Sequence, residues 1–293
     1  MKHILLKNAD AKVVVAPELG GAIVSYQAKI NNQLHPIFRQ AIEKTSVKDS
    51  SCFPLVPFSN RIRNGSFDWL GTKINLPLNQ LPEKHTNHGH GWHVVWQIIS
   101  HTDNRVIIGY EYKADDWPFS YKTEQTITLD GTCLEIQLSL VNCSSVDMPA
   151  GLGLHPYFSR TAKASLHCNV SQLWAVDDES MPINIIDAPA SIASEAGLVI
   201  NEHCLDNAFI NFPSTAEIKW PEWGIKAELS SSSNCRFMVV YSPENADFFC
   251  VEPVTHCTDA INMANNGVPN TGATTIKPNE KMLITMTINP TAL

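Results

Sequence analysis

Apolar and polar positions alternate with a period of two along most of this chain. Leu134, Ile136, Leu138 and Leu140 are separated by Glu135, Gln137 and Ser139, and Thr126-Ile127-Thr128-Leu129 runs the same way just before them. Successive side chains on a strand point to opposite faces, so this pattern sends one set to a core and the other to water. Asp130-Gly131 lies between the two runs and is a strong hairpin signal. The same reading predicts strands over Lys12–Val15, Ala22–Lys29, Val94–Ser100, Arg105–Lys113, Ala216–Trp220, Lys226–Ser230, Arg236–Tyr241, Phe248–Glu252 and Lys281–Ile288. Turn-forming pairs separate them: Asn64-Gly65, Leu70-Gly71, Asp103-Asn104, Ser242-Pro243 and Pro278-Asn279. No long amphipathic helix is expected; Ile192–Leu198 offers a turn or two. The pattern continues from end to end with no linker, repeat or low-complexity stretch. It predicts an all-β protein, with one large antiparallel sandwich or barrel domain spanning 1–293.

Composition narrows the function classes. The 293 residues are 44% hydrophobic and 17% charged, enough to bury a sizeable core. A net charge of -8 argues against nonspecific binding to nucleic acid or an anionic membrane surface. The apolar start Met1–Leu6 is broken by Lys7, Asn8 and Asp10, with no small-residue cleavage site after it, which makes a poor secretory signal. No apolar run approaches the roughly 18 residues of a membrane span. A soluble, cytoplasmic protein is expected. The eight cysteines (52, 133, 143, 168, 204, 235, 250 and 257) contain no C-x-x-C pair and read as reduced, mostly buried thiols.

Three distant segments pair an ionisable side chain with glycine or proline: Asn87-His88-Gly89, Gly153-Leu154-His155-Pro156-Tyr157-Phe158 and Val251-Glu252-Pro253. Two imidazoles and a carboxylate suffice to move protons on a neutral substrate at neutral pH. His88 lies in a stretch with His85, His90 and His93, but that spacing does not match a structural zinc site, so a loop with backbone close to a ligand, or else a solvated His-rich turn, fits better than a metal. His155 reads either as a core histidine bonded to a carbonyl or as a polar tip beside an aromatic platform for a sugar ring, at the end of an apolar strand beside a turn. Glu252 closes a hydrophobic strand, where burial would raise its pKa; the alternative is an edge residue turned to solvent. Asp259 and Asn262 downstream are supporting residues or turn formers. Arg61 follows Pro54, Pro57 and Asn60 in what reads as a rigid loop, and its guanidinium suits vicinal hydroxyls or a carboxylate. Asp206 is a hydroxyl acceptor or a turn residue. No dinucleotide, phosphate-loop or serine-hydrolase motif is present.

These residues bring the chain to a family it resembles over nearly its whole length, the aldose 1-epimerases or galactose mutarotases. The resemblance rests on Pro57-Phe58-Ser59-Asn60-Arg61-Ile62 with Asn64-Gly65, on Asn87-His88-Gly89 with Gly91-Trp92, on Trp117-Pro118-Phe119, on Gly153–Phe158, and on Val251-Glu252-Pro253. It implies a large antiparallel β-supersandwich, galactose mutarotase-like, with an open sugar cleft. Residue by residue, it implies Glu252 as general base at the C1 hydroxyl, His155 as general acid at the ring oxygen and His88 as the second histidine near both. Arg61 and Asp206, with Asn60, would bind sugar hydroxyls. Departures occur at Gly89-His90-Gly91, where the family often has Gly-Gly, and at Pro253-Val254-Thr255-His256, which is closer to the wider epimerase-like branch.

The implied reaction opens a pyranose by acid–base catalysis, allows rotation about C1–C2, and recloses to the other anomer. It needs no cofactor and no metal. The expected partner is a monosaccharide, and the expected state a monomer or homodimer. Two rivals stand beside it: a non-catalytic sugar-binding or sugar-sensing protein, and another enzyme on a similar fold. A glycosidase would need two carboxylates across a bond, whereas only Glu252 has that setting. A sugar-phosphate variant would need an extra basic cluster, and none is visible around the motifs.

Overall fold

The structure is a computed structural model that describes residues 2–41 and 46–293. Two large antiparallel sheets dominate it, one 11-stranded and one 9-stranded, accompanied by three two-stranded ribbons. The predicted hairpin forms the middle of the second sheet: Tyr121–Asp130 pairs with Cys133–Asn142, and Asp130 faces Cys133 across the two-residue turn Gly131-Thr132. Gly131 there adopts a positive φ of 55°, a conformation glycine enters without steric cost. The turn is thus centred one residue later than Asp130-Gly131 suggests.

Most other predicted strands are found with ends shifted by a residue or two, as in Ala11–Ala16 and Ala22–Ile30, while the last runs four residues further than expected, over Lys281–Ala292. The Val94–Ser100 expectation shrinks to a strand at Gln97–His101, because Gly91–His93 forms a 3-10 turn just before it. The Ile192–Leu198 turn is found as a single 3-10 turn at Ala190–Ala193. The α-helix among the described residues is short, Ala260–Asn265.

The largest correction lies between 52 and 55. A loop was expected there, yet Cys52–Leu55 is a strand inside the large sheet, flanked by Ala22–Ile30 and Gly153–Ser159. Proline usually argues against a central strand because it lacks a ladder N–H. Here Pro54 faces Leu154 and Pro156 faces Cys52, and ladder bonds form around them.

The middle of that large sheet runs Cys52–Leu55, Gly153–Ser159, Phe248–Val254, Phe237–Tyr241, Asp206–Ile210. Its two faces have different fates. Leu154, Phe158, Phe249, Val251, Met238, Val240 and Phe209 pack into the core shared with the second sheet. The alternate residues Phe53, Tyr157, Cys250, Val254, Val239 and Ala208 form a separate, smaller cluster on the other face, with Trp92 across it. That second face floors a cleft.

Candidate active site

Strand register alone brings the predicted acid and base together. Gly153 faces Val254 and Tyr157 faces Cys250, so His155, midway between, stands opposite Glu252 on the cleft face. Its Nε2 lies 3.3 Å from Glu252 Oε1. Both residues are buried, Glu252 at 2% exposure. His155 therefore sits in mid-strand, within Gly153–Ser159, and not at a strand end beside a turn. Its ring stacks on Phe53 from one neighbouring strand and on Tyr157 two residues along, each at 4.6 Å. The carbonyl-bonded core histidine is also not what the structure shows, since Nδ1 is buried with no hydrogen-bond partner. Glu252 is no solvent-facing edge residue either; Val239 flanks it on the next strand.

Burial acts on this pair in opposite directions. It pushes the His155 imidazole down to about 3, with Arg39 and Lys48 adding to the effect. It pushes the Glu252 carboxyl well up, with Asp206 adding to the rise and Arg61 opposing it. Neighbouring groups driven apart in this way hold one proton between them across neutral pH. Cys250 completes a buried trio with them, all three donor atoms lying within 4.8 Å of one another. Burial, then the Glu252 charge, holds the Cys250 thiol protonated, and a protonated thiol is a poor metal ligand.

His88 reaches the same cleft from a loop. Its backbone N–H donates to the Asn60 carbonyl at 2.9 Å, and the Asn60 N–H donates back to His88 Nδ1 at 3.0 Å. Both residues take the left-handed conformation, His88 at φ 58° and Asn60 at φ 59°. Such strain persists only where the surroundings over-determine it. Gly89 explains part of this: a Cβ on it would fall 2.4 Å from the Val56 carbonyl. With Nδ1 accepting, the His88 proton must sit on Nε2. Burial, reinforced by His155 and Arg61, lowers its pKa well below the ordinary value and keeps it neutral. His88 is thus a fixed N–H donor 5.4 Å, ring to ring, from His155.

Arg61 and Asp206 arrive from opposite sides and meet. Arg61 Nη1 lies 3.5 Å from Asp206 Oδ2, and Arg61 Nε 3.3 Å from Glu83 Oε2. Asp206 also accepts from the Ser180 hydroxyl at 2.8 Å. The Asn60 side chain uses Oδ1 to accept the Arg61 backbone N–H at 2.8 Å. All six predicted site residues line one cleft of about 380 Å³, at the small end of the roughly 300–1,000 Å³ usual for small-molecule sites.

The other predicted histidines do not join them. His90 accepts or donates at Tyr121 Oη, 2.6 Å away, in a buried network with Tyr110. His85 Nδ1 accepts from the Asn64 N–H at 3.0 Å, and His93 packs its ring on Trp92. A solvated His-rich turn is therefore ruled out for His85, His88 and His90. Asp259 is a fold residue: it accepts from the Arg63 N–H and from Asn262. His256, outside every site expectation, receives the Ser59 N–H on Nε2 and donates from Nδ1 to the Cys257 carbonyl, which pins the loop carrying Asn60 and Arg61. Two cations outside the motifs, Arg39 and Lys48, also line the cleft.

A family model described as aldose 1-epimerase matches residues 2–289. The chain belongs to the aldose 1-epimerase family. An Escherichia coli K12 protein, YphB, itself uncharacterised, is 29% identical over 232 residues, covering 76% of this chain and 79% of its own. A second uncharacterised protein of that organism, YihR, is 25% identical over 221 residues, covering 71% and 70%. Among solved structures, an E. coli K12 protein provisionally described as an aldose 1-epimerase superposes with a TM-score of 0.89 at 24% identity, covering 100% and 99% of the two chains. A galactose mutarotase-like protein from Clostridium acetobutylicum gives 0.86 at 17% identity, covering 99% and 95%. The all-β, galactose mutarotase-like fold expected from the sequence is the fold found.

Proposed function

We propose that this protein interconverts the α and β anomers of an aldose. The observation that carries the reading is the buried His155–Glu252 contact at 3.3 Å, on the floor of a cleft sized for a small molecule. Ring opening requires one proton to leave the C1 hydroxyl and one to reach the ring oxygen. From the form in which the shared proton sits on His155, Glu252 takes the first and His155 supplies the second; after rotation about C1–C2 the two exchange roles and the ring recloses. One shared proton serves both directions, because every opening leaves the pair in the complementary protonation state. The Nε2–H of His88 donates to the developing charge on oxygen near the anomeric centre. Arg61, the Asn60 amide and Asp206 hold ring hydroxyls.

Proton exchange at a carbohydrate hemiacetal changes no oxidation state and transfers no group, so the residues named are a sufficient set. The non-catalytic sugar-binding alternative would have no use for a buried acid facing an imidazole, an arrangement that costs stability. Polarimetry, or NMR exchange, on freshly dissolved α-glucose and α-galactose tests the reading. Equilibration accelerated by the wild-type protein and lost in Glu252→Gln is expected. Binding of sugar without any acceleration would leave the sensing alternative in its place.

A further inference from the structure

The turn over 177–181, which joins the strands Gln172–Val176 and Pro182–Asp187, reaches the candidate site through one side chain. Its shape is set from within. Asp177 Oδ1 accepts the Glu179 and Met181 N–H groups, each at 2.9 Å, and the Ser180 N–H donates to the Asp177 carbonyl at 2.9 Å. Ser180 is thereby placed in the left-handed region at φ 59°. Most non-glycine residues in that region among the described residues are asparagines, which tolerate it better than serine does. Glycine would enter it without strain. What serine offers there over glycine is a hydroxyl, and that hydroxyl donates to Asp206 Oδ2 at 2.8 Å.

The contact orients Asp206. Arg61 Nη1 approaches the same oxygen, at 3.5 Å, so both protein partners of the carboxylate stand on Oδ2. Among the described residues no donor meets Oδ1, and Asp206 lines the cleft, so Oδ1 is the oxygen left for a ring hydroxyl.

The same turn is tied to the opposite rim. Glu179 accepts from Lys84 Nζ, and its Oε2 lies 3.3 Å from His85 Nε2. His85 is buried and its Nδ1 accepts from the Asn64 N–H, so its proton sits on Nε2 and faces Glu179. An exposed pair such as Lys84–Glu179 contributes little alone, but the buried imidazole gives the tie a fixed end. Glu83, one residue before Lys84, holds Arg61 Nε at 3.3 Å. The contacts close a circuit from Asp206 to Arg61, on to Glu83 and its neighbours, across to Glu179, and through Ser180 back to Asp206.

We propose that Ser180 is a positioning residue for substrate binding: its hydroxyl, held in place through Glu179, turns the Asp206 carboxylate so that Oδ1 accepts a hydroxyl of the sugar. It touches neither His155 nor Glu252, so its effect belongs to KM and not to kcat.

This rests on the mutarotase reading, and NMR anomer-exchange rates on glucose and galactose keep the two apart. Ser180→Gly removes the hydroxyl at a φ that glycine accepts, so the backbone stays unstrained. KM should rise at least fivefold with kcat within twofold, and Glu179→Ala should raise KM in the same direction. An Asp206→Ala background separates positioning from folding. There Ser180→Gly should change kcat/KM less than twofold, because the hydroxyl has nothing left to orient. Where exchange is too slow to time, the sugar Kd from NMR titration takes the place of kcat/KM. A KM unmoved by Ser180→Gly or by Glu179→Ala overturns the positioning role and leaves the mutarotase reading standing. So does a penalty from Ser180→Gly that is equal with and without the Asp206 carboxylate, or one that falls on kcat. Wild-type protein that accelerates neither sugar overturns both.

Discussion

The two large sheets of this protein use the same chain chemistry for different ends. In the second sheet, Tyr121–Asp130 alternates buried residues with more exposed ones, one face dry and one wet. In the first, Gly153–Ser159 is buried at every position, and Phe248–Val254 at all but its first. Both faces of those central strands are covered, one by the opposite sheet and one by the cleft. A fully buried antiparallel strand has no reason to carry charge for solubility. His155 and Glu252 stand where only apolar residues would be expected, and each is a polar exception on the cleft face. A supporting sheet is thus recognised by its regularity and a working sheet by where regularity breaks.

Glu252→Gln is the sharpest way to break that contrast. It conserves shape and buries no charge, so it should leave the fold intact and lower kcat about 10²–10⁴-fold, with sugar affinity little changed. Equilibrium binding and anomer-exchange rates on the same sample read both. Ile136→Ala, in the fully buried row of the second sheet, should do the reverse. A loss of about 2–5 kcal/mol in unfolding free energy is expected, with kcat/KM unaltered below the melting transition. Changed catalysis there would mean that the second sheet is more than support. Arg61→Met removes a cation from between Glu83 and Asp206 without touching the acid–base pair. It should act mainly through KM, by about 1.5–3 kcal/mol, as expected for hydrogen bonds to charged groups.

The smallest expected change comes from pH. The proposed reaction needs the His155–Glu252 pair to hold one proton. Arg39, Lys48, Arg61, Asp206 and the neutral His88 face the pair from the surrounding elements. With the imidazole pushed down to about 3, a second proton is added only in strong acid. With the carboxyl pushed well above its usual value, the last proton leaves only on the alkaline side. A kcat profile flat through neutral pH is expected, falling toward acid as the pair takes up a second proton and toward alkali as the pair empties. A mid-point near 6.5, the ordinary histidine value, would show that the pair is not so coupled.

Much of this was legible before any coordinates. The period of two gave the architecture, because side-chain alternation is local and each strand carries its own evidence. His88, His155 and Glu252 stood out because glycine or proline beside an ionisable group marks a constrained backbone. Three things stayed hidden for physical reasons. Cys52–Leu55 was masked by Pro54, whose missing N–H reads as a break although the ladder passes around it. Register between distant strands is a pairing property, so nothing local says that His155 faces Glu252. Arg39 and Lys48 carry no turn or strand signature, and only the long-range packing of Arg39 on Tyr157 brings them to the cleft.

The acid and the imidazole are fastened to neighbouring strands by main-chain ladder bonds, while Arg39 on the cleft wall is held by its own N–H on the Tyr157 carbonyl and by its guanidinium on the Ser50 and Lys48 carbonyls. The floor of the cleft and its rim are consequently carried by separate parts of the scaffold. Loops at the rim can be exchanged without retuning the proton transfer, which makes this architecture a ready host for grafted sugar specificities.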